Sequence, residues 1–163
     1  VKLSLPNKIA ALTLWQPWGS LIAVGQKCYE TRSWQRSYRG LLAIHAAKRW
    51  TADEAFMFSY FLKQFPDLPP LFPNQLPLGK VLCVCELVNI YPTEAVRNRL
   101  SEREKAFGNY LDGRFAWELK LVHVFDEPIP AIGTQTMWTW QPNGAILEEP
   151  TMPVQLPLFA EGQ

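Results

Sequence analysis

The chain has little with which to build a metal centre or a disulfide framework. Its three cysteines, Cys28, Cys83 and Cys85, are an odd number, and its two histidines, His45 and His123, are far apart in sequence. Cys83 and Cys85 share one face of an apolar strand with no second Cys or His pair at ligand spacing, so they read as buried, reduced thiols. No metal and no cofactor is expected. No apolar run reaches the length of a membrane span, and residues 1–14 lack the basic-then-apolar pattern of a secretory signal. A soluble, cytoplasmic protein is the expectation. Basic residues are missing beyond Phe125, where five acids (Asp126, Glu127, Glu148, Glu149 and Glu161) stand alone. The net charge is only +1, which argues against indiscriminate polyanion binding but hides an asymmetry along the chain.

What is present fits one domain. With 163 residues and 48% hydrophobic content, the chain can bury a substantial core and is too short for two ordinary domains. The positive charge collects near the start: from Gln26 to Arg49 there are six Lys or Arg (Lys27, Arg32, Arg36, Arg39, Lys48 and Arg49) against the single acid Glu30. That cluster is bracketed by Trp15, Trp18 and Trp34. Aromatic surface beside paired charges is the usual make-up of a concave polar site, and an anion is its natural ligand. The plainer alternative is a surface salt bridge with Lys27 solvated.

Local chemistry orders this stretch. Pro17 suits the first turn of a helix, Leu21 and Ile22 continue it, and Gly25 supplies a stop. Beyond Cys28, the residues Tyr29, Thr31 and Trp34 favour a strand on which Glu30 and Arg32 share a face. Lys27 joins them only if the turn after Gly25 twists the backbone. Residues 41–44 read as a buried strand ending at His45, a base or phosphate contact in one reading and a hydrogen-bonded strand end in the other. Lys48 and Arg49 precede a capping box at Thr51 and Glu54 that opens a helix to about Gln64, with Ala55, Phe58 and Leu62 on one stripe and Phe56 and Tyr60 beside it.

Five prolines between residues 66 and 77 predict an extended loop. A long apolar strand covers residues 81–90. The charged stretch from 93 to 107, with a second capping box at Ser101 and Glu104, reads as a solvated helical region. Residues 114–125 form a strand with Phe115, Trp117, Leu119 and Leu121 on one side, broken by Pro128 and Pro130. Trp138 and Trp140 are expected to close a barrel by core packing, with base stacking as the alternative. The domain is placed at residues 1–142, followed by an acidic, proline-containing tail over residues 143–163.

These residues resemble the ASCH domain, the activating-signal-cointegrator homology family of the PUA-like barrels. The resemblance lies in Trp15-Gln16-Pro17-Trp18, in the GxKxxExR signature (Gly25, Lys27, Glu30, Arg32), and in Ser33-Trp34, Tyr38-Arg39-Gly40 and Ile44-His45-Ala46. A further match is the aromatic-rich stretch Gly113-Arg114-Phe115-Ala116-Trp117-Glu118-Leu119. It implies an α+β fold, a small, mostly antiparallel PUA-like β-barrel with flanking helices, and a cleft holding Lys27, Glu30 and Arg32. It implies RNA, DNA or a nucleotide as partner, with Lys27 and Arg32 on phosphate or carbonyl oxygens and Trp15, Trp18 or Trp34 stacking. Gln16, Ser33, Arg39, His45 and Lys48 complete the candidate nucleic-acid surface. Some family members are ribonucleases or amidohydrolases of N4-acetylcytidine. The amidohydrolases carry Thr where this chain has Glu30, and the adjacent Thr31 faces away on a regular strand. As an enzyme of the same cleft, the chain would use Glu30 as general base and Lys27 as acid or charge stabiliser. Finally, Gln155-Leu156-Pro157-Leu158-Phe159 resembles the QLxLF peptide by which bacterial replication and repair proteins engage the sliding clamp. The alternative is that Leu158 and Phe159 fold back to cover a barrel edge.

Overall fold

The computed structural model describes residues 3–69, 76–142 and 146–147. Its strands are β1 (Leu3–Ser4), β2 (Ile9–Leu14), β3 (Tyr29–Arg32), β4 (Gly40–Ala46), β5 (Lys80–Pro92), β6 (Phe115–Pro130), β7 (Met137–Trp140) and β8 (Ile146–Leu147). Four helices lie between them: α1 (Trp18–Ala23), α2 (Ala52–Gln64), α3 (Thr93–Val96) and α4 (Glu102–Ala106), with a 3-10 turn over Arg97–Arg99. The fold is α+β. Six strands form one sheet in the order β3-β6-β5-β4-β2-β7, and β1 pairs with β8 as a separate ribbon. Among the described residues, only β2 and β4 pair in parallel. The ladder is open among the described residues, with β3 and β7 at its two ends, so the hydrogen bonding does not show the closed barrel that the sequence suggested.

Core covers both faces of this sheet. Leu12, Leu42, Ile44, Cys83, Cys85, Leu87 and Trp117 pack on one face, and Ile9, Ala11, Ala43, Val84, Phe125 and Trp140 on the other. Each fully buried aliphatic side chain contributes about 1.5–3 kcal/mol relative to exposure. Cys83 and Cys85 are indeed free, buried and on one face. Leu82 and Cys83, adjacent in sequence, both point into the same cluster because the β5–β6 register slips between Val81 and Cys83. A further slip between Val84 and Cys85 breaks the alternation expected of β6, leaving Leu121 37% exposed.

Pro128 and Pro130 do not end β6. Its register with β5 continues through Val81↔Ile129 and Lys80↔Pro130. β3 covers the other side of β6 only from Phe115 to Glu118, so the proline end is an edge, where a missing N–H breaks no ladder bond.

The capping box on α2 is present as read, but its buried stripe differs. Phe56, Tyr60 and Leu62 are exposed, whereas Glu54 and Phe61 are buried, flanked by half-buried Met57, Phe58 and Phe65. Phe61 sets the docking, edge-on to Trp18 at 6.0 Å and to Phe107 at 5.0 Å. This places α2 across α1 and the end of α4.

Glu54 anchors the start of α2. Burial raises its carboxyl pKa, but the Thr51 hydroxyl, Arg49 and the Thr51 backbone N–H outweigh that and hold it down at about 2. A depressed carboxyl stabilises the fold above the unfolded carboxylate pKa, and the contribution disappears as pH falls from about 4.5 towards 2. Glu54→Ala is expected to cost about 1–2 kcal/mol in urea denaturation at pH 7, and the difference from the parent should shrink as the pH falls through this range. Equal midpoints at pH 7 would show the cap to be dispensable.

Candidate functional site

The turn after α1 settles where Lys27 goes. Gly25 adopts φ +74°, and the N–H groups of Gln26 and Lys27 both donate to the Leu21 carbonyl, at 2.9 and 3.1 Å. The chain therefore twists, and the Lys27 side chain turns inward to full burial. Its ammonium donates to the Phe107 carbonyl at 3.0 Å and to the Tyr29 carbonyl, and stands 3.5 Å from Glu30 Oε2. Lys27 thus joins the signature cluster from behind Glu30 and does not line the cleft.

A second carboxylate completes this buried arrangement. Glu104 on α4 accepts from the Cys28 N–H at 2.9 Å and the Tyr29 N–H at 3.1 Å, fixing the start of β3. Burial pushes its carboxyl up in pKa, against the opposing pull of Lys27 and the two N–H groups. The capping box read at Ser101 and Glu104 is half made: Ser101 caps the Glu104 N–H, while the carboxylate crosses to β3 instead of returning to Ser101. Glu104 is therefore a buried brace inside a stretch whose charges read as solvated.

In front of Lys27 lies a cleft of about 510 Å³, whose lining includes Thr13, Trp15, Trp18, Glu30, Thr31, Arg32, Met57, Phe107, Gly108, Asn109 and Arg114. Glu30 Oε1 is 3.2 Å from Arg32 Nε, and Arg32 Nη2 donates to the Thr13 carbonyl at 2.9 Å. Arg114 donates through Nε to the Asn109 carbonyl at 3.1 Å and through Nη2 to the Thr31 carbonyl at 3.3 Å. The lining carries two guanidiniums against one carboxylate, an electrostatic preference for an anionic group. The Thr31 hydroxyl is engaged by the Asn109 N–H at 3.0 Å.

The remaining expected site residues fall into two groups. Trp15, Trp18, Glu30 and Arg32 come together in the cleft. Gln16 is fully buried and braces α1, bonding Ser20 and the Pro77 carbonyl. His45 is 3% exposed, between Thr13 Oγ1 at 3.1 Å and the Ala131 carbonyl at 2.9 Å. Arg39 braces the 36–40 turn through the Arg36 and Tyr38 carbonyls and Asn89. Ser33 and Lys48 are exposed outside the lining, and Trp34 packs edge-on against Trp117 at 4.9 Å. Trp138 donates to Thr13 Oγ1 and Trp140 is buried, in keeping with core packing. Sequence reading missed Thr13, Met57, Asn109 and Arg114 as site residues, and Thr31, expected to face away, is on the lining as well. Arg114 alone carried a signal, a lone cation opening the aromatic-rich strand after the Asp112-Gly113 turn.

An α+β domain with a charged, tryptophan-walled cleft is the class this geometry defines. The ASCH domain model matches residues 12–129, most of the chain, and the protein belongs to the ASCH domain family. Among solved structures, the chain is similar to ASCH from Zymomonas mobilis, at 16% identity over 74% of this chain and 72% of that one, with a TM-score of 0.42. Two mutant forms of that Zymomonas mobilis protein match likewise: one at 16% identity, 74% of each chain and a TM-score of 0.43, the other at 17%, 77% of each and 0.42. No curated protein matches the chain. No helix among the described residues is long and apolar enough to cross a membrane.

Proposed function

We propose that this ASCH domain binds nucleic acid or a nucleotide, RNA foremost, in the cleft between β3, α1 and the end of α4. One observation carries the reading: two guanidiniums, a carboxylate and an exposed tryptophan line a single cleft of about 510 Å³. Guanidiniums suit phosphate or carbonyl oxygens, Glu30 suits the N–H donors of a base edge, and Trp15, 52% exposed, offers a ring face. Lys27 supports the site from behind by holding Glu30 and the carbonyls around it.

The test is equilibrium binding of single- and double-stranded RNA and DNA, and of nucleoside monophosphates, at two salt concentrations. Arg32→Ala and Arg114→Ala are each expected to weaken binding about tenfold and to lower the salt slope by about one. Failure of every ligand to bind would overturn the reading. Ligand recovered cleaved, with cleavage lost in Glu30→Gln, would replace it with a hydrolase acting through the same cleft. Adaptor binding to a sliding clamp rests on residues 155–159, which lie outside the described residues; capture of a clamp that Phe159→Ala abolishes would support it.

A further inference from the structure

The outer face of α2 is aromatic in its middle and charged at its ends. Docking on Phe61 leaves Phe56 68% exposed and Tyr60 43% exposed on another side of the helix. Asp53 in the first turn and Lys63 in the last are exposed as well, and neither is in an ion pair among the described residues. The positions Asp53, Phe56, Tyr60 and Lys63 are spaced three, four and three apart, which aligns them along one side of the helix like a coiled-coil seam. Their order is self-complementary. Turned end for end, the stripe sets cation, ring, ring and anion against anion, ring, ring and cation.

We propose that α2 is the contact face of a two-fold dimer of this chain, in which two copies of the helix pack antiparallel, Phe56 of each against Tyr60 of the other and Asp53 against Lys63. The helix has 13 residues and is about 20 Å long. Asp53 and Lys63 lie about 15 Å apart along it, so near-antiparallel packing brings both charge pairs into register with the ring pairs between them. A two-fold contact uses one patch twice, and a stripe with opposite charges at its ends is matched at both. Another protein would have to supply the same order of charge and ring, which a second copy already carries. A single short helix per copy makes a contact smaller than the roughly 1,600 Å² of a standard interface, so the dimer is reversible and forms at micromolar concentrations or above. Met57, about 100° round the helix from Phe56, lines the cleft. The dimer thus carries two clefts beside its contact face, and the inference holds whatever they bind.

Sedimentation equilibrium of the full chain, from low micromolar to near-millimolar concentration, tests the contact, with circular dichroism confirming that each variant is folded. The parent is expected to pass from monomer to dimer. Asp53→Lys and Lys63→Asp should each weaken self-association at least about tenfold, because two-fold symmetry puts like charges opposite one another at both ends. Mixing these two variants should restore association, since each then meets opposite charge at both ends. Phe56→Ser should weaken the dimer at least about tenfold, whereas Leu62→Ser, equally exposed in the parent but off the stripe, should leave it unchanged. A parent that stays monomeric throughout would overturn the proposal. So would a dimer indifferent to the charge reversals, a mixture that associates no better than its components, or an equal loss in Leu62→Ser and Phe56→Ser. If a charge reversal fails to fold, the contrast between Phe56→Ser and Leu62→Ser decides.

Discussion

Lys27→Met is expected to cost the domain about 3–5 kcal/mol, because it leaves buried negative charge and two carbonyl groups without their ammonium. The Lys27 ammonium is shared by the Phe107 and Tyr29 carbonyls and Glu30, with the Glu104 carboxylate close enough to feel its charge. Urea denaturation at pH 7 measures the loss as a lowered midpoint. Adding Glu104→Gln should recover part of it, since the amide removes one of the stranded charges. The pH dependence provides a second reading. Burial already raises the Glu104 carboxyl, so the folded chain keeps this proton to higher pH than the unfolded chain. Stability from this group is full below the unfolded carboxylate pKa and is lost as pH rises through the folded value. Without Lys27 that carboxyl rises further, and the variant's deficit should shrink as pH is lowered. A midpoint equal to the parent's would show that the buried ammonium is dispensable. Because of this role, Lys27 is a poor probe of ligand binding: its loss unsettles β3, Glu30 and the α4 end together. Arg32 and Arg114, both on the cleft wall, separate binding from folding better.

What was legible in the sequence was what neighbouring residues decide. The stop at Gly25, the pairing of Glu30 with Arg32 and the box at Thr51 and Glu54 all follow from contacts within five positions, and all are present. The sequence ties the Lys27 direction to the twist after Gly25, but its burial behind the cleft is not legible there. It depends on the Phe107 carbonyl, 80 residues away. Glu104 failed for the same reason. Its neighbours Glu102, Arg103 and Lys105 make a mixed-charge helix that looks solvated, and only the arrival of the Cys28 and Tyr29 N–H groups makes a buried carboxylate sensible there. In β5 and β6 the slips at Val81/Cys83 and Val84/Cys85 break the two-residue period on which face assignments rest. No residue type in these runs announces a slip. On α2, propensity and spacing gave the helix and its start, but Phe56, Tyr60 and Leu62 are as apolar as the residues that are buried. Only docking against Trp18 and Phe107 chooses between the two stripes.

Gly133→Ala should lower stability by about 2–3 kcal/mol, although a glycine in a loop between two strands looks replaceable. A Cβ there would lie 2.5 Å from both His45 Nδ1 and Thr13 Oγ1, closer than any carbon can approach. Neither atom is free to retreat. The Trp138 N–H donates to Thr13 Oγ1 at 3.0 Å, the Thr13 hydroxyl has His45 Nδ1 at 3.1 Å, and His45 Nε2 reaches the Ala131 carbonyl at 2.9 Å. That chain of donors is self-consistent for a neutral imidazole with its proton on Nε2. Burial lowers the His45 pKa, so the unfolded chain takes up this proton before the folded one does. The parent should therefore lose stability as pH falls through and below about 6.5, the ordinary range of histidine. In Gly133→Ala a displaced ring opens towards water and titrates nearer its ordinary value, so the same pH interval should show a flatter slope. Denaturation midpoints from pH 8 to pH 5, in parent and variant, check both the offset and the slope; parallel curves with no offset would mean that the loop simply moves aside. The effect should also reach the cleft. Arg32 Nη2 is held by the Thr13 carbonyl at 2.9 Å, so pushing Thr13 outward shifts a guanidinium that lines the site. Weaker nucleotide binding in Gly133→Ala, at a pH where it remains folded, is the expected sign of that linkage.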